Sequence, residues 1–151
     1  MGCCYSHVDR FMDEEFNVPV SVDAAIDFLS GPDNWKLILN KPTAVVIDPT
    51  TFEIGGAFLF SDVHVDKSKP SEQLSYVVQA HIAGFRGALS LEVTWSFTPT
   101  TTGSGCTIRR VIRHCRQHRL LLVPLIPIAR PVTFQENITI ASLLANTSKT
   151  E

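Results

Sequence analysis

The strictest pattern in the sequence is the alternation of apolar and polar residues from Ala88 to Thr98. The polar face carries serine, threonine and glutamate, and the apolar face carries Leu89, Leu91, Val93, Trp95 and Phe97. A period of two is that of a β-strand, and one apolar face opposite a polar face indicates a sheet that is covered on one side. A fold for this chain must therefore supply a second layer over that face.

Other segments predict an antiparallel meander around this strand. Four further strands are predicted at Thr43 to Asp48, Gly55 to Val65, Leu74 to Ile82 and Cys106 to His114. The turn-forming sequences DPTT, DKSKPSE, GFRG and PTTTGSG separate the five strands. Because the links are short, successive strands are expected to pair with each other in antiparallel fashion.

The chain ahead of the meander predicts one strand and two short helices. Arg10 to Val20 indicates a strand that ends at Pro19, since proline cannot donate to a ladder. Ser21 is a candidate N-cap for the helix VDAAIDFL, whose apolar residues recur at helical spacing. SGPDNW ends that helix, and NWKLILN predicts a second helical turn that stops before Pro42.

The C-terminal segment RLLLVPLIPIARPVTFQENITIASLLAN is the only predicted element long enough to cover the sheet. Its prolines at 124, 127 and 131 remove backbone donors, so Leu120 to Arg130 is predicted to be an irregular or kinked lead-in. A continuous helix is expected from Pro131 or Val132. The lead-in is interpreted either as a wall or gate of a cavity or as packing at the sheet edge. Its ten uncharged residues are too few for a membrane span, which needs about 20.

Composition predicts one globular domain from 9 to 147, with flexible ends at 1–8 and 148–151. Apolar residues make up 44% of the chain and charged residues 19%, which is typical of a globular protein. The formal net charge of −2 offers no field for nucleic acid, and the basic run RRVIRHCRQHR is interpreted as a solvated strand and turn. The N-terminus has no secretory pattern and the four cysteines have no metal-site spacing, so reduced thiols and a cytoplasmic location are expected.

The first six residues, MGCCYS, match the myristoylation pattern at Gly2 and Ser6. Cys3 and Cys4 are candidate palmitoylation sites beside it. No basic cluster follows, and a disordered start is the alternative interpretation. Membrane association is expected only if these residues are acylated.

Three segments together resemble the START-like (SRPBCC) helix-grip superfamily, which includes polyketide cyclases, pollen-allergen-type proteins and lipid-transfer domains. They are FNVPVSVDAAIDFLSGPDNW, LEVTWSFTPTTTGSGCTIRRVIRH and RLLLVPLIPIARPVTFQENITIASLL. The resemblance implies an α+β fold in which a curved antiparallel sheet wraps around the long C-terminal helix. It also implies an apolar cavity between the sheet and the helix.

Arg110 is the leading candidate for a functional residue. It shares a strand face with Ile108 and Ile112, so it points inward if they do. A buried arginine is costly unless it meets an anion, such as a ligand carboxylate or an oxygen that gains charge during a reaction. The alternatives are an internal ion pair with Asp62 or Glu92, or a strand end at which Arg110 reaches solvent.

Two other strands carry candidate acid–base residues. On Leu74 to Ile82, Tyr76 is expected to face inward; a register shift would bring in Gln79 and His81 instead. Asp62 and His64 share a predicted face with Phe58 and Phe60 and form a candidate acid–base pair. The alternative for the pair is a position beyond the covered part of the sheet.

The function expected from the resemblance is ring closure of a hydrophobic poly-oxo chain, by aldol or lactone formation, as in polyketide cyclases of secondary metabolism. Arg110 and Tyr76 would stabilise the oxyanion, and Asp62 or His81 would move the proton. No cofactor or metal is expected. The residues expected to bind the substrate are Trp35 at the pocket mouth, Phe58, Phe60, Trp95, Ile108 and Leu122.

Two alternatives to catalysis stay open. A carrier of a lipid, quinone or other hydrophobic ligand would have few polar groups in its pocket, with Arg110 paired to the protein. A partner-binding module would instead depend on the exposed arginines. The sequence leaves a homodimer open and does not separate these functions, because a fold can host many of them.

Overall fold

The computed structural model describes the backbone of residues 9–68, 72–82, 85–101, 103–114 and 119–149. Within these ranges it describes the side chains except those of 9–11, 82, 85–89, 114 and 119–130. The predicted flexible start and the acylation pattern at residues 1–6 lie outside the described residues. The predicted flexible tail begins at 148, but the last helix continues to Lys149.

The described strands form one antiparallel sheet in the order β1-β7-β6-β5-β4-β3-β2. Their bounds are β1 Asp9–Val18, β2 Ala44–Asp48, β3 Thr51–Ile54, β4 Phe58–Asp66, β5 Glu72–Ile82, β6 Phe85–Pro99 and β7 Cys106–His114. Strands β2 to β7 pair in sequence order as the meander predicts, and β1 pairs with β7 at one end of the sheet. The edges are therefore β1 and β2.

One strand of the sheet was not predicted from the sequence. The segment predicted as a single strand from Gly55 begins in the structure at Phe58, and a separate strand, β3, precedes it. Gly55 and Gly56 lie between the two with φ values of 62° and 65°, a conformation that glycine adopts without strain. The DPTT sequence consequently makes the β2–β3 turn, and the glycine pair makes the next one.

Two short helices follow β1, as predicted. Helix α1 spans Val22–Ser30, and its N-cap Ser21 accepts a hydrogen bond from the backbone N–H of Ala24 at 3.2 Å. Helix α2 spans Pro32–Ile38 and begins with proline, which suits the first turn because its missing N–H would have no helical partner there.

Helix α3 corrects the prediction of a broken lead-in. It runs without interruption over Arg119–Lys149, through all three prolines. An interior proline removes one backbone hydrogen bond and crowds the preceding turn, but the other hydrogen bonds of the helix remain. The three prolines therefore predicted a break that the backbone of α3 does not have.

The core lies between the covered face of the sheet and the helices. Tyr76 of β5, together with Leu74, is buried as the favoured register predicted. The buried face of α3 contributes Ile140 and Leu144. Among the described helices, none has the length and apolar character needed to cross a membrane.

Candidate functional site

A cavity of about 130 Å³ lies between the sheet and the middle of α3. Its apolar wall comes mainly from β4, β5, β6 and α2 and includes Trp35, Phe58, Phe60, Val78, Ala80 and Val93. An apolar cavity of about 150 Å³ is large enough for a benzene ring. The enclosed space therefore suits one ring or a short branched chain.

Aromatic rings make one end of the cavity rigid. The Trp35 ring centroid lies 5.0 Å from that of Phe60 and 5.8 Å from that of Tyr76. Phe60 in turn stacks on Tyr76 with a centroid distance of 5.0 Å. Trp35 is also anchored by its indole N–H, which donates to the carbonyl oxygen of Leu29 at 2.6 Å. Such contacts fix the ring positions and leave flat apolar surfaces toward the cavity.

Arg110 of β7 is buried and lines this cavity, as the alternation of its strand predicted. Its guanidinium carbon lies 4.6 Å from the ring centroid of Trp95 on the neighbouring strand. Its Nη1 donates to Oδ1 of Asn137 at 3.1 Å, and its Nη2 donates to Oε1 of Glu136 at 3.4 Å. The arginine therefore meets its anion on α3 rather than at Asp62 or Glu92.

The polar cluster around Arg110 has unused donors. Among the described residues, neither Nε of Arg110 nor Nδ2 of Asn137 has a hydrogen-bond partner, although both atoms are buried. A buried donor without an acceptor destabilises a protein by about 1–3 kcal/mol. Arg110 itself lines the cavity, so its guanidinium is the group of this cluster that an oxygen atom of a ligand would meet.

Tyr76 supplies a further donor in the same cavity. Its hydroxyl oxygen accepts a hydrogen bond from the indole N–H of Trp95 at 3.1 Å, which leaves the hydroxyl proton to be donated. Burial raises the pKa of Tyr76 well above its ordinary value, and the nearby positive charge of Arg110 opposes this only in part. The hydroxyl is therefore protonated at neutral pH and can donate to a carbonyl oxygen.

Charge balance in the cavity favours a neutral ligand. Glu136 lines the cavity with Arg110, and their opposite charges lie 3.4 Å apart. A ligand carboxylate placed beside Arg110 would also lie close to the Glu136 carboxylate, and like charges repel each other. A neutral carbonyl or phenol oxygen can accept from Arg110 and Tyr76 without that repulsion.

The structure places the candidate acid–base pair, Asp62 and His64, outside the cavity. Asp62 is exposed, because a bulge between Ser61 and His64 gives it a φ of 55° and reverses the alternation of β4. Val63 packs against the core instead, so the prediction that Asp62 shares the inner face of Phe60 was wrong. His64 is also exposed, which agrees with the alternative interpretation of this pair.

His81 of β5 does not line the cavity, whereas Tyr76, Val78 and Ala80 of the same strand do. Its backbone N–H donates to the carbonyl oxygen of Ala57 at 2.8 Å.

Only some of the residues predicted to bind the substrate line the cavity. Phe58 and Phe60 line the cavity, whereas Trp95 and Ile108 are buried in the core and do not line it. Trp35 also lines the cavity, but with 1% of its surface exposed it is not at a mouth. Leu122 belongs to the part of α3 in which only the backbone is described, so its predicted contact lies outside the described side chains.

Three polar residues of α3 at this site, Thr133, Glu136 and Asn137, were not predicted from the sequence. A signal was present, because Thr133 and Asn137 continue the buried stripe of Ile140 and Leu144 at spacings of four, three and four. Polar residues in line with a buried apolar stripe indicate buried partners. Glu136, adjacent to Asn137, contributes the charge.

The described part of the chain holds no group of three histidine, cysteine, aspartate or glutamate residues arranged to bind a metal ion. Cys106, a buried free thiol, has its pKa raised to about 11 by burial. It does not line the cavity and is therefore part of the core.

The sequence matches no protein-family model and no curated protein. Its structure is similar to the solved structure of a protein from Nitrosospira multiformis, with a TM-score of 0.64 and 9% identity over 91% of this chain and 98% of that one. The chain has the helix-grip fold. The fold that the resemblance implied is therefore confirmed.

Two more solved structures align with this helix-grip chain at lower TM-scores. CalU16 from Micromonospora echinospora has a TM-score of 0.45 and 11% identity over 93% of this chain and 99% of its own. A norcoclaurine synthase point mutant from Thalictrum flavum, in complex with a transition-state analogue, has a TM-score of 0.48 and 16% identity over 94% of this chain and 97% of its own.

Proposed function

We propose that this protein binds a small, neutral, hydrophobic molecule that carries an oxygen acceptor, such as a ketone or a phenol. The observation that carries the proposal is the buried Arg110, which lines a mostly apolar cavity while its charge is balanced by Glu136. The apolar walls would hold the body of the ligand. Tyr76 and Arg110 would donate hydrogen bonds to its oxygen.

The pairing of Arg110 with α3 favours binding or carriage over catalysis. A carrier needs a pocket with few polar groups and no free charge, and both features are present here. Hydrophobic ligands would gain affinity from the apolar area that they remove from water, at about 25 cal/mol per Å². The oxygen contacts would set orientation and selectivity more than affinity.

A second function, ring closure through an enolate, is supported by one specific arrangement. Glu136 lines the cavity that also contains the two donors, so a carboxylate base and an oxyanion site face the same space. Glu136 would remove a proton from the carbon beside a ketone, and Tyr76 with Arg110 would stabilise the enolate oxygen. The enolate carbon would then attack a second carbonyl of the same chain in an aldol closure.

One experiment with the bicyclic ketone 1-tetralone tests both functions. We expect the purified protein to bind it in calorimetric titrations, and we expect Tyr76→Phe to weaken binding about fivefold, since one neutral hydrogen bond contributes about 1 kcal/mol. Thr98→Val, at an exposed position of β6 that lines neither the cavity nor the groove beside it, is a control that should leave binding unchanged. Absence of binding at millimolar ketone would contradict the proposal.

The same complex, transferred to D₂O, separates a carrier from a catalyst. Enzymatic enolisation would exchange the protons at C2 of 1-tetralone for deuterium faster than buffer alone, as followed by NMR, and Glu136→Gln would abolish the increase. Binding without faster exchange would support the carrier and would count against ring closure by this base.

A further inference from the structure

A second, more open groove adjoins the cavity. This outer groove has a volume of about 440 Å³ and lies between the end of α2 and the middle of α3. Leu39, Phe58, Val132 and Glu136 line both the cavity and the outer groove, so the two spaces are neighbours along one path. A ligand longer than one ring would extend from the cavity into this groove.

Lys41 is the only cation among the residues that line the outer groove in the described structure. Its backbone N–H donates to the carbonyl oxygen of Lys36 at 2.9 Å, just after Asn40 turns the chain with a φ of 53°. These two features fix where the lysine leaves the end of α2.

The side chain of Lys41 is held by a close backbone approach. A Cβ atom built on Gly55 would lie within 2.9 Å of the Cβ, Cγ and Cδ atoms of Lys41. Only a glycine leaves room for the lysine stem at this point, and its φ of 62° also favours glycine. The stem therefore lies against the β3–β4 turn and carries its ammonium group toward Phe58.

The charge of Lys41 is not neutralised within the groove. Its Nζ atom lies 5.9 Å from the ring centroid of Phe58, and no described carboxylate lies within ion-pair distance of it. Glu136, the acidic residue that lines the same groove, is paired with Arg110. The charges that line the cavity and the groove are those of Arg110, Lys41 and Glu136. They sum to one net positive charge, which is located at Lys41 in the outer groove.

From this arrangement we infer that the ligand is amphiphilic: a neutral, oxygen-bearing apolar body occupies the cavity, and an anionic group at its other end binds Lys41. This inference rests on the proposed binding function and narrows its ligand class. A carboxylate, sulfonate or phosphate would satisfy the ammonium group, since each offers acceptor oxygens for a charge-assisted hydrogen bond. Gln135 and Thr139 add polar groups to the same groove.

Two fluorescent probes with one skeleton test the inference. N-phenyl-1-naphthylamine is neutral, and 1-anilinonaphthalene-8-sulfonate adds a sulfonate to the same rings. We expect the protein to bind the sulfonate about fivefold more tightly than the neutral probe, which corresponds to a partly exposed ion pair of about 1 kcal/mol. We expect Lys41→Met to remove this preference, Lys41→Arg to keep it, and added salt to weaken it.

Lys36→Met is the matched control, because Lys36 lies on α2 but does not line the groove. It should leave the affinity for both probes unchanged. Circular dichroism and displacement of the neutral probe by 1-tetralone would show that each variant retains its fold and its cavity.

The outcomes test the role of Lys41 separately from the proposed binding site in the cavity. Equal binding of both probes, or a sulfonate preference that survives Lys41→Met, would overturn the role of Lys41 and leave the neutral cavity site intact. If 1-tetralone does not bind to the wild-type protein, the proposed function itself fails, and this inference fails with it. If 1-tetralone binds and neither probe does, only the role of Lys41 is overturned.

Discussion

The environment of Arg110 adds little to stability and fits the proposed role in ligand binding. Its guanidinium is buried, yet its nearest anion is 3.4 Å away and one of its nitrogens has no described partner. A buried ion pair of this geometry does little for stability by itself, because desolvation offsets much of the attraction. A pocket that binds an oxygen atom of a ligand needs hydrogen-bond donors that the protein itself does not fully occupy.

A double-mutant cycle measures how the pair at the cavity is coupled. We expect Glu136→Leu to destabilise the protein by about 3 kcal/mol, because it leaves the Arg110 charge buried without an anion. We expect Arg110→Met to cost less than Glu136→Leu, since Glu136 is partly exposed and keeps contact with solvent. The double variant should be less destabilised than the sum of the two. Urea unfolding of all four proteins gives the coupling free energy, and strictly additive effects would contradict the pairing.

The sequence predicted the inward face of Arg110 and Tyr76 because strand alternation depends only on neighbouring residues. It did not predict Glu136 as the partner, since that contact depends on the rotation of α3 against the sheet. Asp62 was misplaced for a local reason: a bulge inserts a residue, reverses the alternation and leaves no simple sequence signal.

At the scale of elements, helix α3 continues through a segment in which local propensity predicted a break. Its prolines predicted a start near residue 131, whereas the helix begins at Arg119. A sequence pattern reflects only the free-energy cost that a proline has within its own helix. It does not include the free energy gained when a long helix covers an apolar sheet face, which depends on residues far away in the chain.

Replacing Pro131 tests the continuity of α3. In a continuous helix Pro131 lacks the N–H that would bond to the carbonyl of residue 127, so Pro131→Ala should stabilise the protein by about 2 kcal/mol, after allowance for the greater freedom of the unfolded chain. Pro131 is exposed, and little packing is lost.

Pro32→Ala provides the opposite control, because Pro32 occupies the first turn of α2. We expect it to be neutral or to destabilise by up to about 1 kcal/mol. Thermal and urea unfolding measure both variants. If Pro131→Ala behaved like Pro32→Ala, the helix would start near residue 131, as the sequence alone suggested.

At the scale of the whole molecule, local patterns predicted the meander but not the position of β1. Short turns specify that β2 to β7 pair in order, whereas β1 pairs with β7 across about a hundred residues of sequence. The pairing of β1 with β7 could be expected only from the resemblance to a known fold family. The outcome is a sheet with two unlike edges, since α3 packs near β1, whereas β2 lies beside the short helix α2 and exposes its residues from Val45 to Asp48.

Hydrogen exchange should display this asymmetry. Strand β6 pairs on both sides and carries fully buried Trp95 and Phe97, so its amides should exchange slowest. Strand β2 pairs on one side only, and its Val46 is 64% exposed, so its amides should be the fastest of the strands. Bound 1-tetralone should slow exchange at the end of α2 and at residues 131–139 of α3, because these segments line the cavity and the groove. Protection of β2 instead would place the ligand at the open sheet edge and contradict the cavity site, because β2 does not line the cavity.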